Sequence, residues 1–397
     1  MKLNISAKVL PLSIIGIILT GYVLGSSAIN TQKSTLINIY NNDVKLVQKI
    51  YMNMEMNDIK MLKAAITDFS TNQEIKNIFL ESNREKLLAA TQDLYAKHKE
   101  LGITHFYFHR TDGTNFLRVH TPATFDDKIT RATLKKSMET NSWGTGIELG
   151  KTAFALRVVY PYFNVTTSSG TTSDGISNST TNTIGYIEFG EEINHFNKLI
   201  KDQTGDEVVT VVDKAKIDAK GWAGLTEKNG VRNNYDDMKD FVAIDATNPA
   251  LLDKANYCWN ENTLKNTKEE GNIYGLFSRK GKTYSCGGFV LKDANDNKVG
   301  VVVAIKDVTS QQNALISGIN KSIMLTAIIV VILSIIIMMA ISMIIVRPLR
   351  KLTEAGNKIG GGEINTPLPK INSSDEIKDL SDTMETLVGA IKFLKKK

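Results

Sequence analysis

The chain has 397 residues, of which 42% are hydrophobic and 23% charged, and it carries a formal net charge of +6. That length allows more than one domain, and the balance excludes a mostly disordered chain and a polytopic transporter alike. The positive charge is spread along the sequence, which argues against nucleic acid as a partner.

From Val9 to Ala28 about 20 residues pass without a charge, enough for a helix to cross a ~30 Å hydrocarbon core. Lys2 and Lys8 precede the run and Gly25 to Ala28 are small, so a cleaved signal peptide competes with an uncleaved anchor; the length of the run and a second span favour the anchor. That second span, Ser322 to Val346, holds neither charge nor proline, and Arg347, Arg350 and Lys351 follow at once. The positive-inside rule then places both termini in the cytoplasm and residues 30–321 outside. The expected location is a bacterial inner membrane crossed twice, with lipid as an obligatory partner.

Residues 32–99 hold no proline or glycine, and Leu36, Ile39, Tyr40, Val44 and Val47, then Ile59, Leu62, Ile66 and Phe69 recur at helical spacing. A long amphipathic helix is predicted, with a second piece near Arg84 to Lys99. From Ile103 the period becomes two. Strands are predicted at 103–109, 115–120, 153–163 and 183–190, with a hairpin turn at Asp112-Gly113. The Ser/Thr/Gly/Asn-rich stretch 165–183 reads as an exposed loop. A short helix, 191–202, leads to a second group of strands at 207–212, 241–244, 271–278, 282–291 and 298–308.

Alternate strand residues share a face, so Arg118 with His120, and Glu188 with Tyr186, are candidate pocket groups, as is Arg157 in an apolar strand. Arginine suits a carboxylate or phosphate, so an anionic small molecule is the ligand class expected. His105, Tyr107 and His109 share a face by the same logic, and Trp143, Tyr160 and Tyr162 are candidate pocket walls. The candidate ligand set is therefore Arg118, His120, Trp143, Arg157, Tyr160 and Glu188. His105, His109 and His120 have no acidic or cysteine partner at ligand spacing, and no nucleophile elbow, H-E-x-x-H or Walker loop occurs. No catalytic residue, cofactor or metal is expected. Cys258 and Cys286 leave two readings open, a disulfide or two buried thiols.

The run I-T-H-F-Y-F-H-R-T-D-G-T-N-F-L-R-V-H-T-P-A-T-F-D-D (103–127), followed by G-T-G-I-E-L-G-K-T-A-F-A-L-R-V-V-Y-P-Y-F (144–163), resembles the distal half of a double Cache domain. It is closest to the subfamily of double sensory domains of bacterial receptors. The resemblance implies an extracytoplasmic sensor with its ligand in the distal lobe. The Tyr and Arg-x-Trp-Tyr pattern of the amino-acid-binding Cache receptors is absent.

After the second span, R-P-L-R-K-L-T-E-A-G-N-K-I-G-G-G resembles the first helix and glycine-rich exit of a HAMP domain. Ile364 and Leu368 follow in a connector, and Asp375-Glu376-Ile377 opens a second helix. Pro348 and Glu376 are the candidate signal-relay residues; Lys378 stands where the family usually has glycine. Each helix has only a narrow apolar stripe, which two chains bury together as a parallel bundle, so a homodimer is expected. The chain ends at Lys397 without the hairpin or catalytic domain that usually follows such a linker. The output is then either truncated or supplied in trans by a cytoplasmic protein or a chemoreceptor array.

The expected class is α+β: two PAS-like Cache lobes, distal 100–190 and proximal 203–308, on a long N-terminal helix 32–99. Transmembrane helices 9–28 and 322–346 flank them, and a HAMP linker, 347–397, follows. The function this implies is a receptor, chemotactic first; the alternatives are the sensory part of a histidine kinase or diguanylate cyclase, or a solute-binding membrane protein without signalling.

Overall fold

A computed structural model describes residues 5–149, 154–171, 177–372 and 374–394. Lys2, the Gly150–Ala153 part of the distal motif, residues 172–176 of the Ser/Thr-rich stretch and Lys395–Lys397 lie outside the described residues. Two compact units are present: Ile37–Thr309, and Met1–Leu36 with Ser310–Lys397.

Helix α1 spans Ile5–Ser70, followed by α2 (Gln73–Leu80) and α3 (Arg84–Glu100). The single helix read across 32–69 therefore ends at Ser70, and the helical piece near Arg84 is preceded by another. Neither break uses proline or glycine. The side chains of Asn72 and Asn83 accept from Ile75 N and Lys86 N and restart each helix, and Ser82 turns the chain with φ 57°.

The first sheet contains β1 (His105–His109), β2 (Asn115–Arg118), β3 (Gly144–Leu149), β4 (Phe154–Thr171) and β5 (Ser177–Glu192), with α4 (Ala132–Thr140) before β3. Its order is β2-β1-β5-β4-β3, all antiparallel. Within the stretch read as a loop, residues 165–171 and 177–183 instead extend β4 and β5, with Asn164 opposite Asn182 and Thr167 opposite Ser179. Its many threonines suit a pleated surface.

Helix α5 (Asn194–Thr204) leads to the second sheet: β6 (Glu207–Asp213), α6 (Ala219–Lys228), β7 (Phe241–Ala246), α7 (Glu261–Lys265), β8 (Asn272–Arg279), β9 (Lys282–Lys292) and β10 (Lys298–Asp307). The order β7-β6-β10-β9-β8 repeats that of the first sheet. The two sheets and their helices make the α+β pair of lobes expected. One face of each sheet packs on α1: Phe69 meets Phe106 and Phe108 at 5.1 and 5.7 Å, and Tyr51 meets Phe289 at 5.6 Å. Cys258 and Cys286 are joined in a disulfide with Cα atoms 6.1 Å apart.

In the other unit, the start of α1 and α8 (Thr309–Ile341) are long and apolar enough to cross a membrane, with mean hydropathy 1.5 and 3.3 in their most apolar windows. Gly21 and Gly25 let them approach: a Cβ at Gly21 would lie 2.6 Å from Val330 Cγ2. Small residues four apart are the usual means of close helix packing in lipid. A π-helical turn, Ser342–Val346, joins α8 to α9 (Arg347–Gly360), which carries Pro348 in its first turn; α10 (Glu376–Leu394) carries Glu376 at its start. Leu352, Ala355 and Ile359 are buried on α9, whereas Leu380, Leu387 and Ile391 on α10 are exposed.

Candidate ligand site on the distal sheet

Strand alternation gives the first sheet two unlike faces. Phe106, Phe108, Leu156, Val158, Ile187 and Phe189 are fully buried on the side of the helices. The other side carries His105, Tyr107 and His109 from β1, Arg118 from β2, Arg157 from β4 and Glu188 from β5. Register brings them together: Tyr107 pairs with both Arg118 and Glu188, while His105 and Arg157 flank Gly190. Gly190 leaves room for that approach, because a Cβ there would lie 3.2 Å from His105 Cβ and 3.5 Å from Arg157 Cγ.

Glu188 is the centre of the cluster and is fully buried. Arg157 Nη1 donates to its Oε1 at 2.5 Å, and Arg131 Nη2 donates to both carboxylate oxygens at 2.7 Å. His109 Nε2 completes the set at 2.9 Å from Oε2. Burial alone would raise the Glu188 carboxyl, but Arg131 and Arg157 outweigh it and hold it well below the usual range. Burial keeps His109 neutral in spite of its carboxylate partner, so its Nε2–H is the donor.

Arg131 stands at the start of α4, where Glu148 accepts from Thr133 N at 2.6 Å. Glu148 Oε2 lies 3.5 Å from Arg131 Nε, and burial raises the Glu148 carboxyl. The Tyr107 ring is surrounded by guanidinium groups, Arg131 at 4.7 Å, Arg118 at 5.4 Å and Arg157 at 5.6 Å. At the rim, His105 and His120 meet edge to face at 5.0 Å. Burial, reinforced by the Arg157 charge, depresses them to about 3 and about 4.

The cluster is not saturated internally. The Nε–H groups of Arg157 and Arg131 are buried without hydrogen-bond partners. Two guanidinium groups face the Glu188 carboxylate, with Glu148, whose carboxyl burial raises, beside Arg131 Nε. Two buried guanidinium N–H donors remain for an anion.

Of the residues singled out by sequence, the structure brings His105, Tyr107, His109, Arg118, His120, Arg157 and Glu188 to this face. Arg118 is already engaged there, donating to Asp127 Oδ2 at 2.5 Å and to Thr124 O at 2.9 Å. Trp143 and Tyr160 lie on the opposite side, stacked at 4.0 Å with Lys63 of α1 over the indole. Arg131 and Glu148 were not foreseen, since one precedes a short helix and the other sits in a glycine-rich strand. His105, His109 and His120 form no metal-type group, the one such group among the described residues being Asp58, Glu191 and His195.

The family described as the double sensory domain of two-component sensor kinases matches residues 57–312, and the HAMP domain matches 340–392. Among solved structures, the chain is similar to the ligand-binding domain of the Campylobacter jejuni chemoreceptor Tlp3 in complex with 4-methylisoleucine, with TM-score 0.39 and 12% identity over 70% of this chain and 92% of that one. It is also similar to the periplasmic domain of Vibrio cholerae LuxQ (TM-score 0.35, 10% identity, 67% and 99% covered). The sensor domain of the V. cholerae histidine kinase DctB gives TM-score 0.35 and 10% identity, with 66% and 97% covered. No curated protein matches the chain in sequence.

Proposed function

Since the chain belongs to the family of double sensory domains of two-component sensor kinases and carries a HAMP domain, we propose that this signal-transduction receptor binds a small anionic molecule on the distal sheet. The observation that carries the reading is the buried Arg131–Glu188–Arg157 cluster, in which two guanidinium Nε–H donors are left without partners. The ligand supplies the missing acceptor.

The receptor crosses a bacterial inner membrane twice, with both termini in the cytoplasm. The charges flanking the two apolar helices support that topology, and the Cys258–Cys286 disulfide suits the oxidising outer space. Signal passes through α8 to a HAMP dimer, in which the exposed Leu380, Leu387 and Ile391 of one chain are covered by the other. The output is chemotactic, passed on to a cytoplasmic signalling protein or a receptor array. The description of the family favours a second reading, the sensory part of a histidine kinase. A phosphotransfer assay separates the two: ligand-dependent modulation of a chemotaxis kinase supports the first, and of a histidine kinase the second.

A thermal-shift screen of the full chain in detergent, against organic acids, amino acids, amines and nucleobases, tests the ligand class. An organic acid that raises the midpoint of the wild type but not of Arg157→Lys supports the reading, since lysine keeps the charge and loses the fork. No shift with any acid contradicts it.

A further inference from the structure

Away from that face, three side chains from three elements converge: Asp58 of α1, Glu191 at the end of β5 and His195 in the first turn of α5. Their ligand-type atoms all lie within 4.8 Å of one another. His195 Nε2 is 3.1 Å from Asp58 Oδ2 and 3.3 Å from Glu191 Oε1. Ligands about 2.0–2.1 Å from a tetrahedral ion stand roughly 3.3 Å from each other, so these separations are those of neighbours around one centre.

The orientation of the imidazole agrees. His195 Nδ1 lies 2.8 Å from the Glu192 backbone carbonyl, which can only accept, so Nδ1 carries the hydrogen. Nε2 faces carboxylate oxygens that likewise can only accept, so it carries a hydrogen too, and a cation entering the cluster displaces that proton. A backbone carbonyl holding the far nitrogen is the way metal-binding histidines are fixed.

A second, independent observation concerns Glu191. The residue is only 8% exposed, and its Oε2 is buried with no hydrogen-bond partner. A buried carboxylate oxygen without a donor is costly unless a cation supplies the missing charge. The chain leaves space for this carboxylate at Gly102, where φ is +95° and a Cβ would lie 2.9 Å from Glu191 Oε1. The His195 and Asp58 side chains keep 32% and 23% of their surface open, so an ion can enter from solvent.

We propose that Asp58, Glu191 and His195 form a binding site for a divalent cation of the Zn2+ type, which ties α1 to the connection between the two sheets. One imidazole and two carboxylates, with the remaining position open to water, suit a borderline first-row ion, whereas Ca2+ and Mg2+ ask for more oxygen ligands. The site is independent of the anion-binding reading. Its ligands come from positions 137 apart in sequence, which is why no motif announced it.

The test is a calorimetric titration of the full chain in detergent, first stripped by a chelator, with ZnCl2. One ion per chain is expected, and His195→Gln and Asp58→Asn should each weaken binding about 100-fold or more, beyond the 10–100-fold that outer partners contribute. His98→Gln, a histidine outside the cluster, should leave the affinity unchanged. A Co2+ titration of the wild type, read by visible absorption, is expected to give the intense bands of a four-coordinate centre, a result that needs no variant to fold. Absence of saturable Zn2+ uptake by the wild type, or equal uptake by both ligand variants, overturns the proposal.

Discussion

Arg157 and Glu188 face each other at 2.5 Å across the centre of the distal sheet, and both side chains are almost wholly withdrawn from water. Arg131 approaches the same carboxylate from the start of α4. A charge held this way is bound to its partners, because removing one member of a buried pair strands the other in a medium that cannot solvate it.

Glu188→Gln should therefore destabilise the protein by about 3–5 kcal/mol, read as a lower urea midpoint with an unchanged slope. Asp127→Ala, which frees Arg118 at a partly exposed pair, should cost only about 0–1 kcal/mol. Equal losses in the two variants would show that the buried cluster is not special.

The rim histidines predict a pH dependence. An unfolded histidine takes up its proton near 6.5, but His105 and His120 in the folded chain refuse theirs until about 3 and about 4. Between those limits the unfolded state binds more protons, so stability falls as the pH falls, by roughly 2 kcal/mol per ring at pH 5. The double variant His105→Gln, His120→Gln should lose less melting temperature between pH 7 and pH 5 than the wild type. NMR titration of the imidazole signals should find both rings neutral at pH 6.

The disulfide closes a sequence separation of 28 residues. In the chain-entropy picture such a loop stabilises by about 3–4 kcal/mol. Replacing both cysteines by serine should lower the calorimetric midpoint by roughly 10 °C, and reduction of the wild type should have the same effect.

Gly21 is a point of close approach between the two apolar helices. Because a Cβ at Gly25 would lie 4.0 Å from Thr326 Cγ2, a Gly25→Cys, Thr326→Cys pair is within bridging reach. It should oxidise readily in native membranes, and adding Gly21→Leu should abolish the bridge by forcing Val330 away. Undiminished cross-linking would mean the helices do not meet there.

Much of this architecture was legible in the sequence because it rests on period alone. The predicted strands from Ile103 to Val308 fall within a few residues of those observed wherever apolar and polar residues alternate. Where another device took over, reading failed: Asn72 and Asn83 end and restart helices without proline or glycine, and the threonine-rich arm of β4 and β5 pairs though its composition suggests a loop. Strand β3 escaped because Gly144 and Gly146 interrupt any alternation, and helix α4 because its 9 residues are too short to show a period. Arg131 and Glu148 belong to those two elements and escaped with them. For Trp143 and Tyr160 the information was present, since Tyr160 stands three positions from Arg157 on one strand and must point to the other face.

The relay from distal sheet to HAMP is tested most directly by cross-linking. Leu387 of α10 is exposed in the single chain, on the stripe that a partner chain should cover, so Leu387→Cys in native membranes should form a disulfide-linked dimer. With an organic acid identified by the thermal screen, the rate of that cross-link should change in otherwise wild-type protein and stay constant when Arg157→Lys is added. A dimer whose rate responds equally in both, or no dimer at all, would contradict the account.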